Sequence, residues 1–304
     1  MTLAQSPDDV VDPQKGMAAD AMLYVVATPI GNLEDLSSRA ARVLRDVAFV
    51  AAEDTRRTAT LLRHVGSKAS MLVADEHHEQ RAAQQIIQHL VQGQSVALVS
   101  DAGTPAISDP GGRIVAAVRT EGLPVMAVPG ACAAAAALSV AGLTHVGGGW
   151  IFAGFLPTKT QERLRVLADW KTRAGEDLAL VFYEAPHRIE TALAALAEVF
   201  GAEREILVAR ELTKLFEQSV RMPLGEAVAW LNTDPNRARG EFVLVVYPPA
   251  HSAQATVGLD EATDNTVRIL VEAGLPTKQV AQIAQKLTGA SKDLLYQRAL
   301  DLKP

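Results

Sequence analysis

Cysteine is almost absent from this chain. Among 304 residues there is one, Cys132, which excludes an internal disulfide framework and a clustered thiolate zinc site. Its scarcity fits a reducing, cytoplasmic setting. Long apolar runs are missing too. No stretch approaches the roughly 18 residues that a membrane-spanning helix requires, so neither a span nor a membrane partner is expected. The first twenty residues carry Asp8, Asp9, Asp12 and Asp20 around no apolar core. That composition excludes a signal peptide and predicts a loose tail over residues 1–21. Three fingerprints are also lacking. There is no GxGxxG after the first strand, no GxxxxGK[ST] and no GxSxG. Their absence argues against a dinucleotide-binding or ordinary Rossmann methyltransferase, a P-loop kinase or GTPase, and a nucleophile-elbow hydrolase. No period of 20 to 50 residues recurs, which excludes a solenoid.

What is present is a globular balance: 48% hydrophobic and 21% charged residues, in a length that suits about two domains. The net charge of −6 argues against a wholly basic nucleic-acid coat but leaves room for local basic surfaces. Two stand out. Lys159, Arg163, Arg165, Lys171 and Arg173 crowd residues 159–173, and Arg56, Arg57 and Arg63 follow Asp54. By themselves such runs read as solvated helix faces.

Short apolar runs alternate with helical patterns. The spacing predicts strands at 22–27, 47–51, 70–73, 96–100 and 125–128, with helices such as 37–44 and 82–90 between them. Alternation of this kind reads as βαβ units around a parallel sheet. A second series follows, with strands at 151–155, 178–183, 206–209 and 242–247, another short strand at 214–221, and helices near 162–172, 188–200 and 224–231. That sheet is expected to be mixed. The organisation predicted is therefore an amino-terminal α/β domain over 22–130 and a second over 131–247. A Pro- and Ser-containing linker follows at 248–260, then an appendix of two or three amphipathic helices at 261–304.

The chemistry is expected in the loops that follow the strands. TPIGN follows the first, EDTRR the second, DAGTPAISDPGG the fourth and PGACA the fifth; in the second block YEAPHR and RELTK occupy equivalent places. Ligands of open α/β sheets bind outside the carboxyl ends of strands, so two such rims predict a ligand cleft between the domains. Plainer roles exist for each residue. Gly103, Gly111 and Gly112 can serve turns alone. Asp101 can cap a helix, as can Ser37 or Ser38. Cys132 can be a small buried apolar residue. His77 and His78 beside Glu76 and Glu79 lack further ligands at metal spacing, and His187 fits an orienting or substrate-contacting side chain better than a base. Residue types alone define a two-domain α/β protein with an interdomain site. They do not name a reaction.

Seven segments then occur in a telling order: LYVVATPIGNLEDLSSRA (23–40), AAEDTRRTATLLRHVG (51–66), LVSDAGTPAISDPG (98–111), PGACAAAAALSVAGL (129–143), GFLPTK (154–159), FYEAPHR (182–188) and ARELTK (209–214). Together they resemble the ribosomal RNA small subunit methyltransferase I family, within the tetrapyrrole methylase superfamily. The resemblance covers about residues 22–247, and KDLLYQRAL (292–300) extends it into the tail. It implies the class III methyltransferase fold, two α/β domains with the cofactor between them, usually as a homodimer. It implies S-adenosylmethionine-dependent methylation of a cytidine ribose 2′-oxygen in the decoding centre of 16S ribosomal RNA. The partner would be that RNA or the small ribosomal subunit. Where much of the superfamily has a GDP-type loop, this chain has Gly103-Thr104-Pro105, a Thr in place of the Asp.

Carried over loop by loop, the resemblance implies cofactor contacts from Pro29, Asp101, Ala102, Gly103, Ile107, Ala131, Cys132, Tyr183, Leu212 and Gly240. It points to RNA contacts from Arg56, Arg57, Lys159, Arg163 and Arg188. In-line transfer from a sulfonium needs alignment and a proton acceptor but no metal. Glu184, Asp54 and Glu211 are candidate bases, with Lys214 as an orienting or base residue, and the sequence does not rank them. A small-molecule substrate such as a tetrapyrrole precursor is the alternative within the superfamily, opposed by AEDTRR, FYEAPHR and the helical tail. A non-catalytic RNA-binding protein is the alternative outside it, opposed by the intact polar loops at both rims.

Overall fold

A computed structural model describes residues 21–144, 149–249, 259 and 261–302. Most of the expected tail at 1–21 and linker at 248–260, and the last two residues of the helical appendix, 303–304, lie outside the described residues. Compact units end and begin at Pro249 and Ala250.

The first unit holds two five-stranded sheets. β1 (Leu23–Val26), β2 (Phe49–Ala52), β3 (Ser70–Val73), β4 (Val96–Val99) and β5 (Val125–Val128) form one, ordered β3-β2-β4-β1-β5. Every pairing in it is parallel. Parallel strands are covered on both faces, which is why β1 and β4 read as unbroken apolar runs rather than alternating ones. The period of two is still visible in what each residue meets. Tyr24, Val26, Val50, Ala52, Ala97 and Val99 pack with α1 (Ser38–Asp46) and α2 (Thr55–Val65). Leu23, Ala51, Val96 and Leu98 pack with α3 (Glu79–Val91) and α4 (Gly112–Thr120).

The second sheet is mixed, as expected. β6 (Trp150–Phe155), β7 (Ala179–Glu184), β8 (Glu205–Arg210), β9 (Gln218–Pro223) and β10 (Phe242–Val246) take the order β6-β7-β10-β8-β9. Only β6 and β7 pair in parallel; β10 runs antiparallel to both β7 and β8. Leu180, Phe182, Ile206, Val208, Phe242 and Leu244 face α6 (Thr160–Ala174), α7 (Ile189–Phe200) and α8 (Leu224–Asn232). On the opposite face Val181, Leu207, Ala209, Val243 and Val245 receive α5 (Ala133–Val140). α5 thus leaves β5 of the first sheet and packs on the second, placing the Pro129–Cys132 turn where the two meet.

Predicted and observed elements differ where periodicity is weak. α5 is alanine-rich and apolar all round, so it shows no face. The strand expected at 214–221 begins instead at Gln218. Residues 211–217 form a tight turn, in which Lys214 N–H donates to the Glu211 carbonyl at 3.0 Å and Glu217 N–H to the Lys214 carbonyl at 3.1 Å. The Glu217 carboxylate also accepts from Thr213 N–H at 2.6 Å.

The second unit has three helices: α9 (Glu261–Glu272), α10 (Thr277–Thr288) and α11 (Lys292–Asp301). Their own small core holds Val267, Val280, Ala281, Ala284, Leu295 and Ala299. Arg298 Nε donates to Asp264 at 2.6 Å, tying α11 to α9.

Candidate active site

The carboxyl ends of β1, β2, β4 and β5 and the matching edge of the second sheet enclose a cavity of about 410 Å³. Because β10 is antiparallel, it starts at this edge and brings Glu241, Phe242 and Val243 into the wall.

Loop-to-loop hydrogen bonds fix the first wall. Thr28 N–H donates to the Gly103 carbonyl at 2.8 Å and Gly103 N–H to the Thr28 carbonyl at 3.0 Å. This two-residue bridge locks the loop after β1 to the loop after β4. Gly103 has a φ of 82°, a backbone conformation that favours glycine, and a Cβ there would crowd Ile30 Cγ2 at 3.3 Å. Thr104 Oγ1 donates to the Ala131 carbonyl at 3.0 Å, adding the loop after β5. Further along, Ala106 and Ser108 hold φ values of 65° and 66°. Left-handed backbone at non-glycine residues carries strain and persists where the surroundings over-determine it. The segment is then pinned by Glu79, a buried carboxylate on α3 that accepts from Gly111 N–H at 2.7 Å at the start of α4.

The second wall is largely aromatic. Tyr183 is set edge-on between Phe152 and Phe155, at centroid distances of 4.8 and 5.7 Å. Its hydroxyl accepts from Ala134 N–H at 3.0 Å, at the start of α5, and lies 4.0 Å from Cys132 Sγ. Burial raises the Tyr183 phenol above its ordinary range, so it stays protonated. Beside it Glu211 and Thr213 hold φ values of 50° and 65°. Gly240, at φ 92°, has no room for a side chain because a Cβ would come within 2.4 Å of Glu211.

The cavity is acidic, with Glu53, Asp101, Asp109, Glu184 and Glu241 on its lining and Arg57 as a cation. Arg57 pairs with Asp101 at 3.0 Å, and the other Asp101 oxygen accepts from Asp54 N–H at 3.0 Å. Asp101 therefore joins the loop after β4 to the loop after β2 and caps no helix. Burial, then the Asp101 charge, raises Glu53. Burial, then the charges of Glu53 and Asp101, pushes Asp109 up to about 6.

The structure brings together much of what the sequence singled out. Asp101, Ala102, Gly103, Ile107, Cys132, Tyr183 and Leu212 line the cavity, as does Glu184. Ala131, Gly240 and Pro29 are not on the lining: the Ala131 carbonyl accepts from Thr104 Oγ1, Gly240 lies against Glu211, and Pro29 falls between the bridged Thr28 and the lining Ile30. The candidate bases fare unequally. Glu184 is fully buried, accepts from Ala185 N–H at 2.8 Å and pairs with Arg188 at 3.1 Å. Asp54 caps α2, accepting from Arg56 N–H at 2.9 Å. Hydrogen bonds from Arg56 hold its carboxyl down to about 2, too weak a base for a hydroxyl proton. Lys214 is no base either. Although burial opposes its charge, contacts at 2.8 Å to both Glu211 and Glu241 raise it above the ordinary lysine value. The same lysine depresses Glu211 against its burial.

Two expected RNA contacts need correction. Arg163 is buried, donating to Thr191 Oγ1 at 2.8 Å and to the Thr158 carbonyl at 3.0 Å. Its guanidinium holds α6 to α7 and is not available to a phosphate. Arg188 is largely covered and committed to Glu184 and the Leu156 carbonyl. Lys159 is exposed at the start of α6, and Arg56 and Arg57 have side chains 90% and 71% exposed. Around the histidines, His78 Nδ1 sits 2.7 Å from Asp75.

The sequence reading passed over Glu53, Asp109, Phe155 and Glu241. Asp109 stood in the recognised SDPGG segment, but only the folded loop shows that its carboxylate faces the cavity.

This arrangement of two sheets with a cavity at their shared edge is that of tetrapyrrole methylases. A solved uroporphyrin-III C-methyltransferase from Thermus thermophilus, in complex with S-adenosylhomocysteine, superposes with a TM-score of 0.51 at 20% identity, over 75% of this chain and 97% of that one. At that identity the likeness speaks for the fold. The model of the Tetrapyrrole (Corrin/Porphyrin) Methylases matches residues 22–228, and that of the RsmI C-terminal HTH domain matches 257–303. Full-length relatives narrow the class. A Pseudomonas aeruginosa protein named ribosomal RNA small subunit methyltransferase I is 45% identical over 91% of this chain and 96% of its own length. A Neisseria meningitidis serogroup B protein of the same name is 46% identical over 92% of this chain and 94% of its own. The chain belongs to the ribosomal RNA small subunit methyltransferase I family of tetrapyrrole methylases.

Proposed function

We propose that this chain transfers a methyl group from S-adenosylmethionine to the ribose 2′-oxygen of a cytidine in the decoding region of 16S ribosomal RNA. The observation that carries the reading is the cavity wall built from the loops after β1, β2, β4 and β5. Asp101, Ala102, Gly103, Ile107 and Cys132 on it are among the residues that the family resemblance assigns to the cofactor.

The residues present fit that cofactor. A volume of about 410 Å³ lies within the range of roughly 300–1,000 Å³ usual for small-molecule sites. S-adenosylmethionine carries a sulfonium and an ammonium, and the carboxylates of Asp101 and Glu53 supply opposing charge. Ile30, Tyr183, Leu212 and Val243 offer an apolar wall for the adenine, and Gly103 leaves the backbone open to close approach. When bound, the cofactor supplies an electrophilic methyl group whose departing thioether needs no proton.

The chain's own contribution is alignment and proton removal. The Thr28–Gly103 bridge and the Tyr183–Ala134 contact fix the two walls before any substrate enters. In favourable intramolecular models such alignment lowers a barrier by about 7–11 kcal/mol. A positioned base adds about 10²–10⁴-fold. Arg56, Arg57 and Lys159 offer positive charge to phosphates near an exposed, single-stranded nucleotide. The reading also takes 22–130 and 131–247 as two lobes of a cytoplasmic enzyme acting as a homodimer on 16S RNA or the small subunit.

The test is transfer of radiolabelled methyl from S-adenosylmethionine to small subunits purified from cells lacking the native methylation. A tetrapyrrole precursor is offered in parallel. Label in the RNA is expected. Label in the tetrapyrrole alone would overturn the reading.

A further inference from the structure

Several carboxylates share the cavity, and their partners separate them. Asp101 is engaged by Arg57 and by Asp54 N–H. Glu184 is engaged by Arg188 and Ala185 N–H. Glu241 pairs with Lys214 and is mostly exposed. Glu53 accepts from the Asp101 backbone and feels Arg57. Glu53 and Asp109 are both half-buried on the wall without an ion pair among the described residues, but Glu53 is held by the Asp101 backbone at the foot of α2, whereas Asp109, which accepts from the Ser100 side chain, sits on a loop shaped to present it.

Its placement is built rather than incidental. Ala106 and Ser108, at φ 65° and 66°, fold the loop back. Ala106 N–H donates to the Pro110 carbonyl at 3.3 Å across the turn that carries Asp109. The Glu79–Gly111 bond then anchors the far end. A loop strained at two non-glycine residues and clamped by a buried carboxylate holds one side chain against the cavity.

We infer that Asp109 is the general base that takes the 2′-hydroxyl proton. This rests on the functional reading above. The ribose oxygen gives its proton to an Asp109 carboxylate oxygen while its lone pair bonds to the methyl carbon. The carbon–sulfur bond breaks, and its electron pair stays on sulfur as a neutral thioether. Charge balances: a sulfonium and a carboxylate become a thioether and a carboxylic acid. The groups facing Asp109 are Glu53 after β2, Asp101 after β4, Tyr183 on β7, Glu241 before β10 and, across the site, Arg57 on α2. Their charge is mostly negative, which favours proton uptake at Asp109.

The experiment measures single-turnover transfer to small subunits between about pH 5 and 9 for wild type and Asp109→Asn, with cofactor affinity by calorimetry. For wild type, log rate should climb with unit slope and level off above about 6, where Asp109 loses its proton. Asp109→Asn should lose about 100-fold or more in rate, keep cofactor affinity within about threefold and lose the acid limb. A variant that fails to bind cofactor would make Asp109 a cofactor ligand and overturn the assignment. So would an unchanged rate. The wild-type profile stands without the variant: a flat profile would also overturn it. Wild type that binds cofactor yet leaves RNA unmethylated at every pH would instead remove the functional reading, and the base with it.

Discussion

Gly103 concentrates what a single residue contributes here. A side chain at its φ of 82° costs about 1–2 kcal/mol in backbone strain, and its Cβ would press on Ile30. Gly103→Leu should therefore abolish cofactor binding by calorimetry while the far-ultraviolet circular dichroism spectrum keeps its native shape; normal titration would remove this loop from the cofactor wall. Asp109 yields a second prediction. Its folded value of about 6 lies above the ordinary 3.8, so between these values the folded chain binds the extra proton and stability falls as pH rises. Asp109→Asn removes that loss. The variant should melt higher than wild type at about pH 7.5, with the gap closing toward about pH 3.5; equal melting at both would contradict the raised value. Asp101 and Gly103 were legible in sequence because their loop follows the apolar strand β4 and lies in a segment that resembles the family's. Asp109 was not, because its character comes from Glu53 and burial, neither adjacent to it in the chain.

Elements were legible in proportion to their periodicity. β3 and β5 fall where the spacing predicts them, and of the two candidate caps for α1, Ser37 and Ser38, it is Ser37 whose hydroxyl accepts from Ala40 N–H at 3.1 Å. Ser37→Ala should cost about 1 kcal/mol in chemical denaturation. The basic run on α6 misled because charge in sequence does not report facing. Arg163 turns inward to Thr191 on α7, whereas Lys159 stays outside. Arg163→Ala should destabilise the chain by about 2 kcal/mol and leave the salt dependence of RNA binding unchanged. Arg56→Ala with Arg57→Ala should do the reverse, flattening the dependence of affinity on salt. If the Arg163 variant flattened it instead, the inward assignment would fail.

At the scale of the molecule, the parallel and mixed sheets were visible as two series of apolar runs. Their convergence was visible only as two sets of polar loops. What sequence could not supply was the crossing of α5, which carries Pro129–Cys132 from one sheet to the other and joins the rims into one cavity. All residues of that cavity precede Pro249. The three-helix unit has its own core. The chemical identity of the product decides the function. Small subunits lacking the native modification, incubated with the chain and S-adenosylmethionine, would be digested and their nucleosides placed by mass spectrometry. One cytidine in the decoding region of 16S RNA is expected to be heavier by a methyl group that fragments with the ribose. A methyl group that fragments with the base, or RNA left unmodified by cofactor-loaded protein, would contradict it.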